Sequence, residues 1–92
     1  MIDATTEFRT CSDARYRNIG GEGIVVRQTA GEVLVLNEVG VRVLDLLATG
    51  SAVQRVIEAL GADYDVDAAT AERDVMAYAQ ELLEAGVIER LT

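Results

Sequence analysis

Residues Val33-Leu34-Val35-Leu36-Asn37-Glu38-Val39-Gly40-Val41-Arg42-Val43-Leu44 contain the change of period that decides the fold. Four consecutive β-branched or Leu residues without a 3.6-residue spacing read as a strand, apolar on both faces. Asn37 is a favoured helix N-cap, because its side-chain oxygen can accept from the free N–H groups of a first turn. Glu38 follows where the helix dipole favours a negative charge. A strand therefore runs into a helix without a loop, which sets a strand edge against a helical layer.

On the N-terminal side, Ala14–Ile19 alternates loosely and predicts a first strand, partly facing solvent. Gly20, Gly21, Glu22 and Gly23 supply a turn, and residues 24–28 a second strand. Thr29, Ala30 and Gly31 are short enough to close a hairpin onto Glu32–Leu36. On the C-terminal side, Val39, Val43, Leu46 and Leu47 form one apolar stripe over Glu38–Ala48, with Gly50 as terminator. Ser51 with Gln54 three residues on has the capping-box pattern of a second helix, which Gly61 should end. Asp67 caps a third, over 68–85, with Ala71, Val75, Tyr78, Ala79 and Leu82 on its apolar face. Gly86 then fits the left-handed residue after a helix, and Val87 the apolar contact back to Leu82. The expected class is α+β: a three-stranded antiparallel sheet followed by three helices, arranged as in a winged helix-turn-helix. Residues 1–92 are expected to make one domain, with 1–12 loosely ordered.

Composition removes several functions. The chain has 92 residues, no histidine and one cysteine, Cys11. That is enough for one core, with no internal disulfide, no imidazole for a catalytic pair and no His metal ligand. No apolar run approaches the roughly 20 residues of a membrane span, and the acidic start lacks the order of a signal peptide. A cytoplasmic protein that needs no membrane is expected. Asp63, Asp65 and Asp67 alternate like the start of a calcium loop. Ala68 and Asp74 stand where an EF-hand needs Gly and a bidentate Glu, so a capped helix entry explains the acids better. Neither a metal nor a cofactor is expected. Cys11 has no base to activate it, and Asp74 and Glu81 have no nucleophile beside them, so no catalytic residue is assigned.

Charge argues against nucleic acid. The formal net charge is −8; residues 56–92 hold nine acids and two arginines, residues 1–55 seven acids and six arginines. Around the third helix, Asp67, Glu72, Asp74, Glu81 and Glu84 face Arg73 alone, the reverse of the basic stripe that phosphates require. A winged-helix DNA-binding regulator is thus the alternative that the fold permits and the surface opposes. A protein or peptide partner fits better. If Glu32–Leu36 lies at a sheet edge, its free backbone groups form a template for an added strand.

The residues Gly31-Glu32 leading into Leu36-Asn37-Glu38-Val39-Gly40, then Leu44-Asp45-Leu46-Leu47 and Gly50, resemble the PqqD-like family. Tyr64-Asp65-Val66-Asp67, Asp74-Val75, Leu82-Leu83 and Ala85-Gly86-Val87-Ile88 continue the resemblance over roughly residues 12–90. It implies a non-catalytic recognition element that binds the leader segment of a ribosomally made precursor peptide and presents it to a peptide-modifying enzyme or leader peptidase. It also implies a groove with Glu32, Val33, Leu34, Val35 and Leu36 on one wall. Periodicity then assigns Arg73, Met76, Ala77 and Gln80 to the other, Arg73 to meet an acidic leader residue and Met76 an apolar anchor. Members serving pyrroloquinoline quinone assembly carry a proline-containing run at the second strand, where Val25-Val26-Arg27-Gln28-Thr29 stands here. That departure puts the quinone pathway in doubt and favours a standalone homologue serving another peptide, such as a lasso peptide or a radical-enzyme product, without deciding among the three.

Overall fold

The computed structural model describes residues 2–91; Met1 and Thr92, the outermost residues of the expected domain, lie outside the described residues. In chain order the elements are β1 (Phe8–Thr10), β2 (Ala14–Ile19), β3 (Glu22–Arg27), β4 (Glu32–Leu36), α1 (Glu38–Ala48), α2 (Val53–Tyr64), α3 (Ala68–Glu84) and β5 (Ile88–Arg90). β2, β3 and β4 form an antiparallel sheet in that order, so β4 is an edge strand, and three helices follow it.

Two positive-φ glycines, Gly20 and Gly21, make the β2–β3 hairpin, closed by the pair Ile19↔Glu22. The turn is shorter than the glycine cluster suggested. Gly23 lies inside β3, where it serves close packing: a Cβ there would stand 2.7 Å from Cβ of Val41, so its absence lets α1 lie directly on the sheet. Gly40 does the same for the other partners of α1, since its Cβ would meet Tyr78 at 3.0 Å and Leu36 at 3.3 Å.

The inner face of the sheet joins the core through Ala14 and Val25, packed with Val43, Leu44 and Leu47 of α1, Val75 and Leu82 of α3, and Phe8. The outer face is uncovered among the described residues. β4 is apolar on both faces, yet only one is packed: Leu34 and Leu36 are partly buried, whereas Val33 and Val35 are 63% and 66% exposed.

Asn37 caps α1 as its sequence position requires, its Oδ1 accepting from Gly40 N at 2.8 Å. Asp67 likewise accepts from Thr70 N at 2.7 Å at the start of α3. At the other end of α3, Val87 N donates to Leu82 O and Gly86 N to Leu83 O, with Gly86 at φ +76°, a complete Schellman closure. Val87 and Ile88 are then buried.

The second helix departs from its predicted ends. Ser51 does not cap it: Ala52 holds the N-cap position without a side-chain bond, and the free amides of Val53 and Gln54 donate to the carbonyls of Thr6 and Ala4. The segment 2–7 thus supplies by backbone what the capping box was expected to supply by side chain. Gly61 does not end the helix, which continues to Tyr64 and closes with Asp65 in the left-handed region at φ +52°. The described residues of the segment 1–12, expected to be loosely ordered, make further contacts of this kind. Ile2 and Phe8 are buried, and Phe8–Thr10 pairs antiparallel with Ile88–Arg90, a link across the whole chain. Among the described residues, no helix is long and apolar enough to cross a membrane.

Candidate functional site

The free edge of β4 has a definite hydrogen-bonding phase. In a two-residue hairpin the closing pair exchanges both backbone bonds, so Ile19↔Glu22 is a bonded pair, and bonded pairs alternate along an antiparallel ladder. Glu22, Ile24 and Val26 of β3 therefore turn their backbone groups toward β2. The bond from Gln28 N to Asp13 O at 2.9 Å continues that series by one step. The intervening residues Gly23, Val25 and Arg27 turn toward β4, where their partners are Leu36, Leu34 and Glu32. Val33 and Val35 are left with N–H and C=O directed away from the sheet. These two residues offer an extended chain two donors and two acceptors in strand geometry.

Helix α3 comes beside this edge through Tyr78. Its hydroxyl donates to Asn37 Oδ1 at 2.9 Å, and Asn37 directly follows the last residue of β4. The same oxygen serves the α1 cap and orients Tyr78, so one side chain joins strand end, helix start and α3. Around Tyr78 the helix presents a shallow groove of about 300 Å³ lined by Asp74, Ala77, Tyr78 and Glu81.

Of the α3 residues assigned from periodicity, only Ala77 lies in this groove. Met76 lines a separate cleft with Ile2, Val53, Ile57 and Glu72, between α2 and the N-terminal segment. The reason is helix phase: two residues advance roughly 200° around an α-helix, so Met76 and Tyr78 face nearly opposite sides. Arg73 is exposed, with its nearest acidic partner, Asp74, 4.0 Å away. Gln80 donates to Glu84 at 3.2 Å along the exposed face. The groove side of α3 thus carries Asp74 and Glu81 rather than a cation. Tyr78 was legible as a helix-stripe residue; its hydroxyl, which needs a polar partner when the ring packs against a core, was the signal for a second role.

On the strand wall, Glu32 is tied to Arg27 at 3.0 Å, and Arg27 also meets Asp13 at 3.5 Å. The guanidinium lies against Gly86, where a Cβ would come within 2.8 Å of its Cζ. Its Nε is buried without a partner in this tight fit, which marks Arg27 as a structural clamp. Leu34 and Leu36 point under the sheet, and the backbone of Val33 and Val35 is what the edge offers.

Burial, followed by the nearby Glu89 and Asp13 carboxylates, raises the Cys11 thiol above its ordinary value, opposite to the activation a nucleophile needs. Tyr16, half-buried on β2, donates to Asp45 Oδ1 at 2.8 Å; burial first, then that bond, pushes its phenol up to about 12. The bond anchors the inner face of β2 to α1.

A family model described as coenzyme PQQ synthesis protein D (PqqD) matches residues 22–88. No curated protein matches the chain. Among solved structures, the chain is similar to TbiB1 in complex with the TbiA(beta) leader peptide, with TM-score 0.83 and 25% identity over 91% of this chain and 98% of that one. It is similar to the same degree to lasso peptide synthetase B1 complexed with the leader peptide, with TM-score 0.82 and 25% identity over 90% of this chain and 98% of the other.

Proposed function

The chain belongs to the PqqD family, and on that premise we propose that it binds the leader segment of a ribosomally synthesised precursor peptide and hands the peptide to a modifying or processing enzyme. The peptide adds as a fourth strand beside β4, bonded to the backbone of Val33 and Val35. Side chains on one face of that strand pack toward Tyr78 and Ala77 of α3. The chain itself performs no reaction and acts in the cytoplasm, where such peptides are made.

One observation carries the reading: an apolar edge strand with unpaired backbone groups, in a fold that two solved leader-peptide complexes share. The energetics are adequate. Four backbone bonds contribute about 1 kcal/mol each, and two or three buried peptide side chains about 1.5–3 kcal/mol each. After the cost of ordering the peptide, this supports affinity on the order of micromolar. Asp74 and Glu81 favour a leader with a basic rather than an acidic residue against α3, reversing the role that periodicity gave Arg73. Val25-Val26-Arg27-Gln28-Thr29, with no proline, supports a precursor other than that of the quinone.

Calorimetry against the leader of the precursor encoded beside this chain tests the reading. Saturable binding without turnover is expected, and the absence of binding to any such leader sinks it.

A further inference from the structure

The outer face of the β2–β3–β4 sheet lacks a covering layer among the described residues, and its side chains are not those of a solvated surface. Ile19, Val26, Val33 and Val35 stand on it at 57%, 38%, 63% and 66% exposure. The register joins them into one patch: Val33 pairs with Val26, and Val35 with Ile24. The same two rows continue onto β2 as Arg15 and Arg17. Between those arginines and Ile19, Ile24 and Val26 the surface dips into a groove of about 480 Å³. Strand alternation puts a single carboxylate on this face, Glu22, at the turn end. In a chain of net charge −8, this face is locally cationic and apolar.

We propose that this face docks the enzyme that processes the bound peptide, through an enzyme surface apolar at its centre and acidic along the rim that meets Arg15 and Arg17. The inference rests on the leader-binding reading above. Contiguous exposed apolar side chains mark an interaction site more often than a bare surface, and arginine beside an apolar centre is the composition of a protein interface. Charge selects the occupant. A second copy would bring the same arginines and the same net negative charge, whereas an acidic-rimmed partner is complementary. Position supports it too. Val33 and Val35 present their side chains to this face and their backbone to the edge, so a peptide strand beside β4 continues the docking surface and emerges next to the enzyme.

The test uses the full chain, the leader peptide and the processing enzyme encoded beside it, with two outer-face variants that leave β4 and α3 untouched. Arg17→Glu reverses a rim charge; Val26→Thr removes apolar character while keeping β-branched shape. Both retain peptide affinity in calorimetry, and both weaken the enzyme roughly tenfold, Arg17→Glu also flattening the salt dependence of enzyme binding. Unchanged enzyme affinity in both variants, with peptide binding intact, overturns the docking face and leaves the leader-binding reading standing. Failure of the unaltered chain to bind the leader overturns that reading and this inference with it. Self-association, or binding to phosphatidylglycerol vesicles, that the same variants abolish while enzyme affinity is unchanged assigns the face to another occupant and also overturns it.

Discussion

β2 and β4 are the two edges of one sheet, both antiparallel to β3, and they are built differently. On β2, Arg15, Arg17 and Asn18 break the apolar pattern, Tyr16 is bonded to Asp45, and Asn18 Oδ1 accepts from Gly21 N in the turn at 3.1 Å. Charged side chains at an edge discourage pairing with another chain. On β4, Val33, Leu34, Val35 and Leu36 run uninterrupted, and the outward backbone belongs to two exposed valines. One edge is guarded and the other is open. An open apolar edge is an aggregation hazard unless it has an occupant, and that difference favours β4 over β2 for the strand addition proposed above.

Proline scanning on the two edges should break or uphold the contrast most sharply. Val35→Pro removes an amide that no internal bond uses, so the fold survives, as circular dichroism can check, while leader binding is abolished. The equivalent outward amide on β2 belongs to Asn18. Asn18→Pro weakens its turn but leaves leader affinity in calorimetry unchanged; loss of binding there would erase the distinction between the edges.

Asn37 tests whether the open edge is held in place by the joint behind it. Asn37→Ala removes the α1 cap and leaves the Tyr78 hydroxyl without its partner, at an expected cost of about 1–2 kcal/mol in urea unfolding. Asn37→Asp keeps the acceptor oxygen and should recover most of that loss. A smaller effect sharpens the guarded edge. Tyr16→Phe costs about 1 kcal/mol through the lost bond to Asp45. The phenol is held protonated in the folded chain up to about 12, against an ordinary value of 10.0. Its contribution is therefore complete below pH 10 and is lost as pH rises from 10 to 12, because the unfolded phenol ionises first. Stability curves of wild type and Tyr16→Phe should converge over that window, with peptide binding at neutral pH unaffected.

Much of this architecture was legible because it depends on neighbours in sequence. Asn37, Asp67, Gly50 and Gly86 act within a few residues of themselves, through cap bonds and left-handed closures that a residue type announces. The short turns at 20–23 and 29–31 carried the sheet order, whereas the edge position of Glu32–Leu36 remained a condition in the sequence and is given by the strand order β2-β3-β4. What stayed hidden depends on distance. The pairing of Phe8–Thr10 with Ile88–Arg90 and the capping of α2 by the carbonyls of Ala4 and Thr6 join segments whose sequences show no sign of each other. The α3 side is subject to a related limit. Periodicity finds which side of a helix is apolar, but not which neighbour each flank meets, and of Arg73, Met76, Ala77 and Gln80 only Ala77 lies in the groove beside Tyr78. A run of apolar residues likewise cannot reveal that Val33 and Val35 face solvent, since both faces of β4 read alike.

The central claim, that a leader peptide adds to the outward backbone of β4, is tested most directly by amide hydrogen exchange read residue by residue, with and without the leader. Val33 and Val35 amides, unbonded in the free chain, should exchange fast alone and become strongly protected on binding, while Leu34 and Leu36 are already protected by their bonds to β3. Saturable leader binding that leaves Val33 and Val35 exchanging as fast as in the free chain would contradict the account.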